Sequence, residues 1–228
     1  MGTIAFGFLL LLFLNSLHLF NTMRRTATLL IRMQSTSPST YYPPMVYSPQ
    51  YSCKWPTSHR FPMSKFHDLY NHMLETGICT QDCFTNPPHP FDDATMMEDV
   101  YAMHDKDYVE RVIANSLSDK EKRRIGLYGH ECDSLIASRT FAEVGGTVLA
   151  CELAIKHGLA TSLAGGTHHA HHAYGSGFCV VNDIAIAAHR AVRIHKSRVL
   201  VFDLDVHQVG YNIFLKMNIL FVKIQIPG

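Results

Sequence analysis

The sequence predicts an α/β domain in which helices flank a parallel sheet, and three observations carry that prediction. The first is rhythm. From about Ser134 the chain reads helix, strand, loop, helix, strand, the alternation that builds parallel sheets. The second is Val199-Leu200-Val201-Phe202, a β-branched apolar run without polar alternation, as in strands covered on both faces. The third is composition. Of 228 residues 47% are hydrophobic and 17% charged, which allows a sizeable core and excludes a disordered chain or a coiled coil. A formal net charge of +1 gives no bulk electrostatic sign of a nucleic-acid partner, and none is expected.

The chain opens with an apolar run, Ile4 to Leu14, whose greasy character continues to Phe20. It is short of the roughly 20 apolar residues of a spanning helix. No basic residue precedes it, and Arg24 and Arg25 follow, a charge order that argues against export. Membrane contact is expected only through residues 4–20. From Met23 the stretch MRRTATLLIRMQSTSPST is rich in Arg and Ser/Thr and lacks acids, the composition of a mitochondrial or chloroplast transit peptide. Organelle targeting, a membrane anchor or secretory signal, and a dispensable extension all stay open. Arg24, Arg25, Arg32, Lys54, Arg60 and Lys65 all precede the first acid, Asp68, which sets this end apart. Residues 1–44 are therefore an N-terminal extension with its boundary at Pro43-Pro44, residues 45–208 the domain, and residues 209–228 a divergent tail.

Within the domain, Met63 to Leu74 places Met63, Phe66, Tyr70, Met73 and Leu74 on one helical face. Asn86-Pro87-Pro88-His89-Pro90 is a loop. Asp105 to Ser116 is a short helix, and Lys120 to Arg124 a solvated basic face. Ser134 to His157 is the longest periodic segment. Its Gly145-Gly146 implies close packing against a strand, and Gly158 stops it. Ala160 to Ala164 is a short strand, Asp183 to His195 another helix, and Val199 to Phe202 a strand. The six cysteines (53, 79, 83, 132, 151 and 179) show no zinc-finger spacing and read as free thiols in a reducing compartment.

The chemistry concentrates where two strands end. Gly165-Gly166-Thr167-His168-His169-Ala170-His171-His172 presents four histidines on a loop after the first strand. Asp203-Leu204-Asp205-Val206-His207 follows the second. Strand alternation turns residues 203, 205 and 207 to one face, so two carboxylates and an imidazole point together. Such carboxylates need partners, and a divalent metal such as zinc is the economical one. His171 and His172 read as polar loop residues and His104 as structural.

At this point the sequence resembles the zinc-dependent histone deacetylases and their prokaryotic relatives, which include acetylpolyamine amidohydrolases. The matching segments are Val46-Tyr47-Ser48-Pro49, His59 to Met63, and His104-Asp105-Lys106-Asp107-Tyr108-Val109. GGTHHAHHAYGSGFCVVNDIAIAA (165–188) and RVLVFDLDVHQ (198–208) are the most specific, and their wording is similar to the bacterial-type branch. The resemblance implies the N-terminal portion of an arginase/deacetylase-like fold. It implies hydrolysis of N-acetyl-lysine amides in an acetylated protein or peptide, with Asp205 and His207 as two of three zinc ligands. His168 and His169 would be the tandem active-site histidines, one acting as base and acid on the zinc-bound water. Asp203 would orient His168, and Gly177 and Phe178 would wall the acyl-lysine tunnel. The family also implies a nuclear or cytoplasmic site as the alternative to an organelle.

The resemblance ends after Gln208. The family continues Gly-Asp-Gly, whereas this chain reads Val209-Gly210-Tyr211. The carboxylate expected beside His169, the third zinc ligand and an oxyanion-donating Tyr have no counterpart, so a chain cut short after Gln208 is expected. Two alternatives accompany the enzyme reading: an inactive fragment with a binding or regulatory role, and a small-molecule acetylpolyamine amidohydrolase.

Overall fold

In this computed structural model residues 9–14, 42–127, 133–203, 205 and 220–223 are described. The domain has α/β architecture. The N-terminal apolar run, set aside with residues 1–44 in the sequence reading, contributes strand β1 (Leu9–Leu14). Strands β2 (Met45–Val46) and β3 (Phe84–Thr85) are two residues each and pair in parallel. Between them lies helix α1 (Lys65–Glu75), which begins two residues later than the periodicity suggested. Its Phe66, together with Tyr51 of a short 3-10 turn and with Met45 and Tyr47, forms one apolar cluster.

Three helices follow. The first, α2 (Ala94–Met103), is an element that the sequence reading did not anticipate. Asp93 caps it by accepting from the amides of Thr95 and Met96, and Met96, Asp99, Val100 and Met103 are its buried face. Helix α3 (Lys106–Ile113) has Asp105 as its N-cap, accepting from the Tyr108 amide, and ends short of Ser116. Helix α4 (Asp119–Ile125) carries the basic stretch. It starts in a Ser118/Glu121 capping box and stops at Gly126, whose φ of 80° suits a residue without Cβ.

Helix α5 (Ile136–His157) is the central one, with both ends close to expectation. The paired glycines face mostly loop atoms: a Cβ on Gly145 would overlap the Pro88 carbonyl, and one on Gly146 the Tyr51 hydroxyl. Only the Ser162 contact of Gly146 comes from a strand, β4 (Thr161–Ser162), shorter than the predicted 160–164. Helix α6 (Asp183–His195) and strand β5 (Arg198–Asp203) follow, and β6 (Leu220–Lys223) pairs parallel with β5.

Among the described residues two three-stranded sheets result, ordered β3-β2-β4 and β1-β5-β6. The first is wholly parallel. In the second, β1 runs antiparallel to β5 along its whole length, from Leu9 opposite Asp203 to Leu14 opposite Arg198. The main core lies between α2, α3, α5, α6 and β5, built from residues such as Val100, Val109, Phe141, Val148, Ile184, Ile186 and Val201. Among the described residues, no helix is long and apolar enough to cross a membrane.

Candidate active site

Both chemically rich segments leave the carboxyl end of a strand, where α/β sheets place their ligands. After β4 the chain turns at Gly165, with φ of 76°, and enters the histidine loop. His168 is buried, and its Nδ1 donates to Asp203 Oδ2 at 2.8 Å. Its Nε2 lies 3.1 Å from Nε2 of His169, with ring centroids 4.0 Å apart. With Nδ1–H committed to the carboxylate, a neutral His168 presents Nε2 as an acceptor, and His169 supplies the proton between them. The other oxygen of Asp203 accepts from the Asp205 amide at 2.8 Å. Burial pushes the Asp203 carboxyl up, but the hydrogen bonds from His168 and Asp205 outweigh it and hold the group below the ordinary carboxylate value. The last residue of β5 is thus an anion aimed at the histidine pair.

The start of α6 clasps the histidine loop. Asn182 caps the helix by accepting from the Ala185 amide, while its Nδ2 donates to the carbonyls of His168 (3.4 Å) and Ala170 (3.2 Å). Asp183 Oδ1 accepts from the Thr167 amide at 2.7 Å, from the Thr167 hydroxyl and from the Ile184 amide, and its Oδ2 from the Thr147 hydroxyl. His104 reaches in from the end of α2. Its Nε2 accepts from the Asn182 amide at 2.9 Å, so Nδ1 carries the proton and donates to the His172 carbonyl at 3.2 Å. Burial lowers the His104 pKa to about 4, so the ring is neutral. His172 returns the bond, its Nδ1 donating to the Met103 carbonyl at 2.8 Å.

The Gly177-Phe178 turn closes the other side. A Cβ on Gly177 would lie 2.9 Å from Cδ2 of His169, so glycine lets the turn approach the ring. Phe178 has φ of 66°, and its amide donates to the Ile125 carbonyl at 2.7 Å. Its ring packs 5.2 Å from that of Phe61.

Of the residues singled out from sequence, the structure brings His168, His169, Asp203 and Gly177 together, with Phe178 adjoining. Asp205 is partly buried at the end of β5. His207 lies outside the described residues, as do the tail residues 209–219 and 224–228. The donor chemistry of Asp205 and an imidazole, oxygen with nitrogen, fits zinc. Among the described residues, no group of three or more His, Cys, Asp or Glu is gathered to hold a metal ion. His171 stacks on Tyr174 at 4.3 Å. The sequence reading started a helix at Asp183 but did not single out Asn182 or Asp183 as holding the histidine loop, although Asn-Asp before an apolar run is an N-cap signal.

The chain matches the histone deacetylase domain over residues 59–210. An uncharacterised protein of Picosynechococcus is 44% identical over 167 residues, covering 72% of this chain and 53% of that protein. Histone deacetylase 2 of Arabidopsis thaliana is 46% identical over 67 residues, 29% of this chain and 17% of its own length. The acetoin utilization protein AcuC of Staphylococcus aureus (strain MSSA476) is 30% identical over 142 residues, 59% of this chain and 35% of that protein. The chain thus spans about half, or less, of the length of the curated relatives it matches.

Proposed function

The chain belongs to the histone deacetylase family, and on that premise we propose that it hydrolyses N-acetyl-lysine amides of proteins or peptides, releasing acetate and a free amine. The observation that carries this reading is the hydrogen-bonded line Asp203–His168–His169 at the end of β5. Asp203 fixes the His168 tautomer and stabilises the ring when it gains a proton. The histidine pair takes a proton from the attacking water at Nε2 and returns it to the departing lysine nitrogen. Asn182 and Asp183 hold the loop so that these atoms stay in register. Gly177 and Phe178 wall the side from which the acyl chain enters. Asp205 and His207 would hold a zinc ion. When bound, that ion would polarise the amide carbonyl and make its water acidic.

The test is a discontinuous assay of the recombinant chain, loaded with zinc, on an acetyl-lysine peptide and on an acetylpolyamine. Acetate release from the peptide, abolished by a chelator and reduced at least about 100-fold in His168→Ala and Asp203→Asn, is the expected result. Turnover of the acetylpolyamine alone would move the substrate class to small molecules. Acetyl-peptide binding without turnover or zinc uptake would replace hydrolysis by a binding role.

A further inference from the structure

We infer that the rim of this site selects acyl-lysine segments flanked by acidic residues, through Arg60 and Arg124. The inference rests on the deacetylase reading above and adds the charge of the substrate. Two exposed arginines stand over the aromatic rings of the loop that follows the tandem histidines. The Arg60 guanidinium lies 4.7 Å from the centre of the Phe178 ring, and that of Arg124 4.6 Å from the centre of Tyr174. The end of α4 joins them. The Phe178 amide donates to Ile125, and a Cβ on Gly126 would sit 3.2 Å from Phe178 and 3.8 Å from Arg60 Nη2. Phe178 is one residue from Gly177, which packs against His169, so Arg60 stands beside the histidine pair and Arg124 stands over Tyr174 of the same loop.

Several other cations are paired with carboxylates. Arg111 pairs with Glu121 at 2.6 Å, Lys122 with Asp133 at 3.5 Å, Arg139 with Glu143, and Arg190 and Arg193 with Asp99. Arg60, Arg123 and Arg124 form no ion pair with a carboxylate among the described residues. The charge of Arg124 is felt in the loop, where, after burial, it is the second cause that lowers the His171 pKa. A guanidinium stacked on a ring keeps its N–H edge for a carboxylate and loses little freedom on pairing. Rim charges of this kind act mainly on partner choice and encounter rate, and their effect fades with salt.

Fluorescence polarisation with three labelled acetyl-lysine peptides, flanked by Glu, Ala or Lys, tests the inference on the full chain, with unacetylated peptides alongside. Each exposed pair contributes little, so the Glu peptide should bind about 3- to 10-fold tighter than the Lys peptide at low ionic strength. The order should collapse in about 0.5 M salt, where screening is strong, and reverse in the double variant Arg60→Glu, Arg124→Glu. Both positions are exposed, so circular dichroism should be unchanged. Equal binding of Glu and Lys peptides, or an order that survives the double variant, overturns the inference. Tighter binding of a single-stranded oligonucleotide than of the Glu peptide also overturns it. Indifference to acetylation in all three series removes the deacetylase premise instead, and is read separately from the charge order.

Discussion

Asp183 and Asp99 are both fully buried aspartates held against helix α6, yet their carboxyls are pushed in opposite directions. Asp183, at the first turn of α6, receives hydrogen bonds only from neutral donors: two threonine hydroxyls and two backbone amides. Burial raises its pKa, and those bonds do not bring it back. Asp99, on α2, is also pushed up by burial, but Arg193, Arg190 and His189 converge on it and leave it below the ordinary value. Neutral donors fix the direction of a carboxylate without much charge compensation, which suits a cradle for the histidine loop. Cations compensate charge and tie two helices together, which suits a clamp. The pH signs differ accordingly. The contribution of Asp99 is present above the unfolded pKa and lost as pH falls through the folded one. That of Asp183 is present at low pH and lost as pH rises through its raised folded value.

The clamp should be the costlier to break. Asp99→Ala takes the carboxylate from the partly buried His189 and leaves Arg190 only Glu152 and Asp93, and a loss of about 3 to 5 kcal/mol is expected in urea unfolding. A loss below about 1 kcal/mol would mean that the clamp is ornamental. Next comes His104, whose neutral ring links the end of α2 to the cradle. Its pKa falls from 6.5 to about 4, so the unfolded chain binds the proton first as pH drops. Stability should therefore decline between pH 6.5 and 4 by roughly 3 kcal/mol from this residue. His104→Gln, with an amide oxygen in place of Nε2, should flatten that slope, and thermal unfolding across the range reads it. Asn182→Ala removes a helix cap and two carbonyl contacts. About 1 to 2 kcal/mol and faster amide exchange at Ala170 are expected. Asp183→Asn should be mildest, less than about 1 kcal/mol, because the Thr147 hydroxyl can turn to accept from the new amide. A larger loss there would show that the cradle needs its charge.

Legibility followed the same divide between pattern and contact. Helices α5 and α6 and strand β5 were readable because long apolar periodicities and terminal Gly158 leave few alternatives. His168, His169 and Asp203 were singled out together through the resemblance to the deacetylases, whereas strand alternation alone grouped Asp203 with Asp205 and His207. Helix α2 was missed between prolines and acids, although Asp93 and the spacing of Met96, Val100 and Met103 mark it. The basic run of α4 was read as solvated, but its Ser118/Glu121 box, a helix signal, was passed over. The hold of Asn182 on the His168 and Ala170 carbonyls could not be read, since those backbone groups carry no residue identity. Nor does a leucine run announce that it will pair antiparallel with a strand 190 residues away.

That pairing gives the N-terminal run a second occupation. Six residues of the apolar run, for which a membrane anchor or secretory signal was one open reading, are also the ladder along one side of the strand that ends in Asp203. A segment cannot be threaded through a translocase, or lie open to a processing peptidase, while its amides are bonded to β5. Delivery by this segment would have to precede closure of the sheet. A peptidase that removed it would uncover the β5 edge beside Asp203, where another strand could then add.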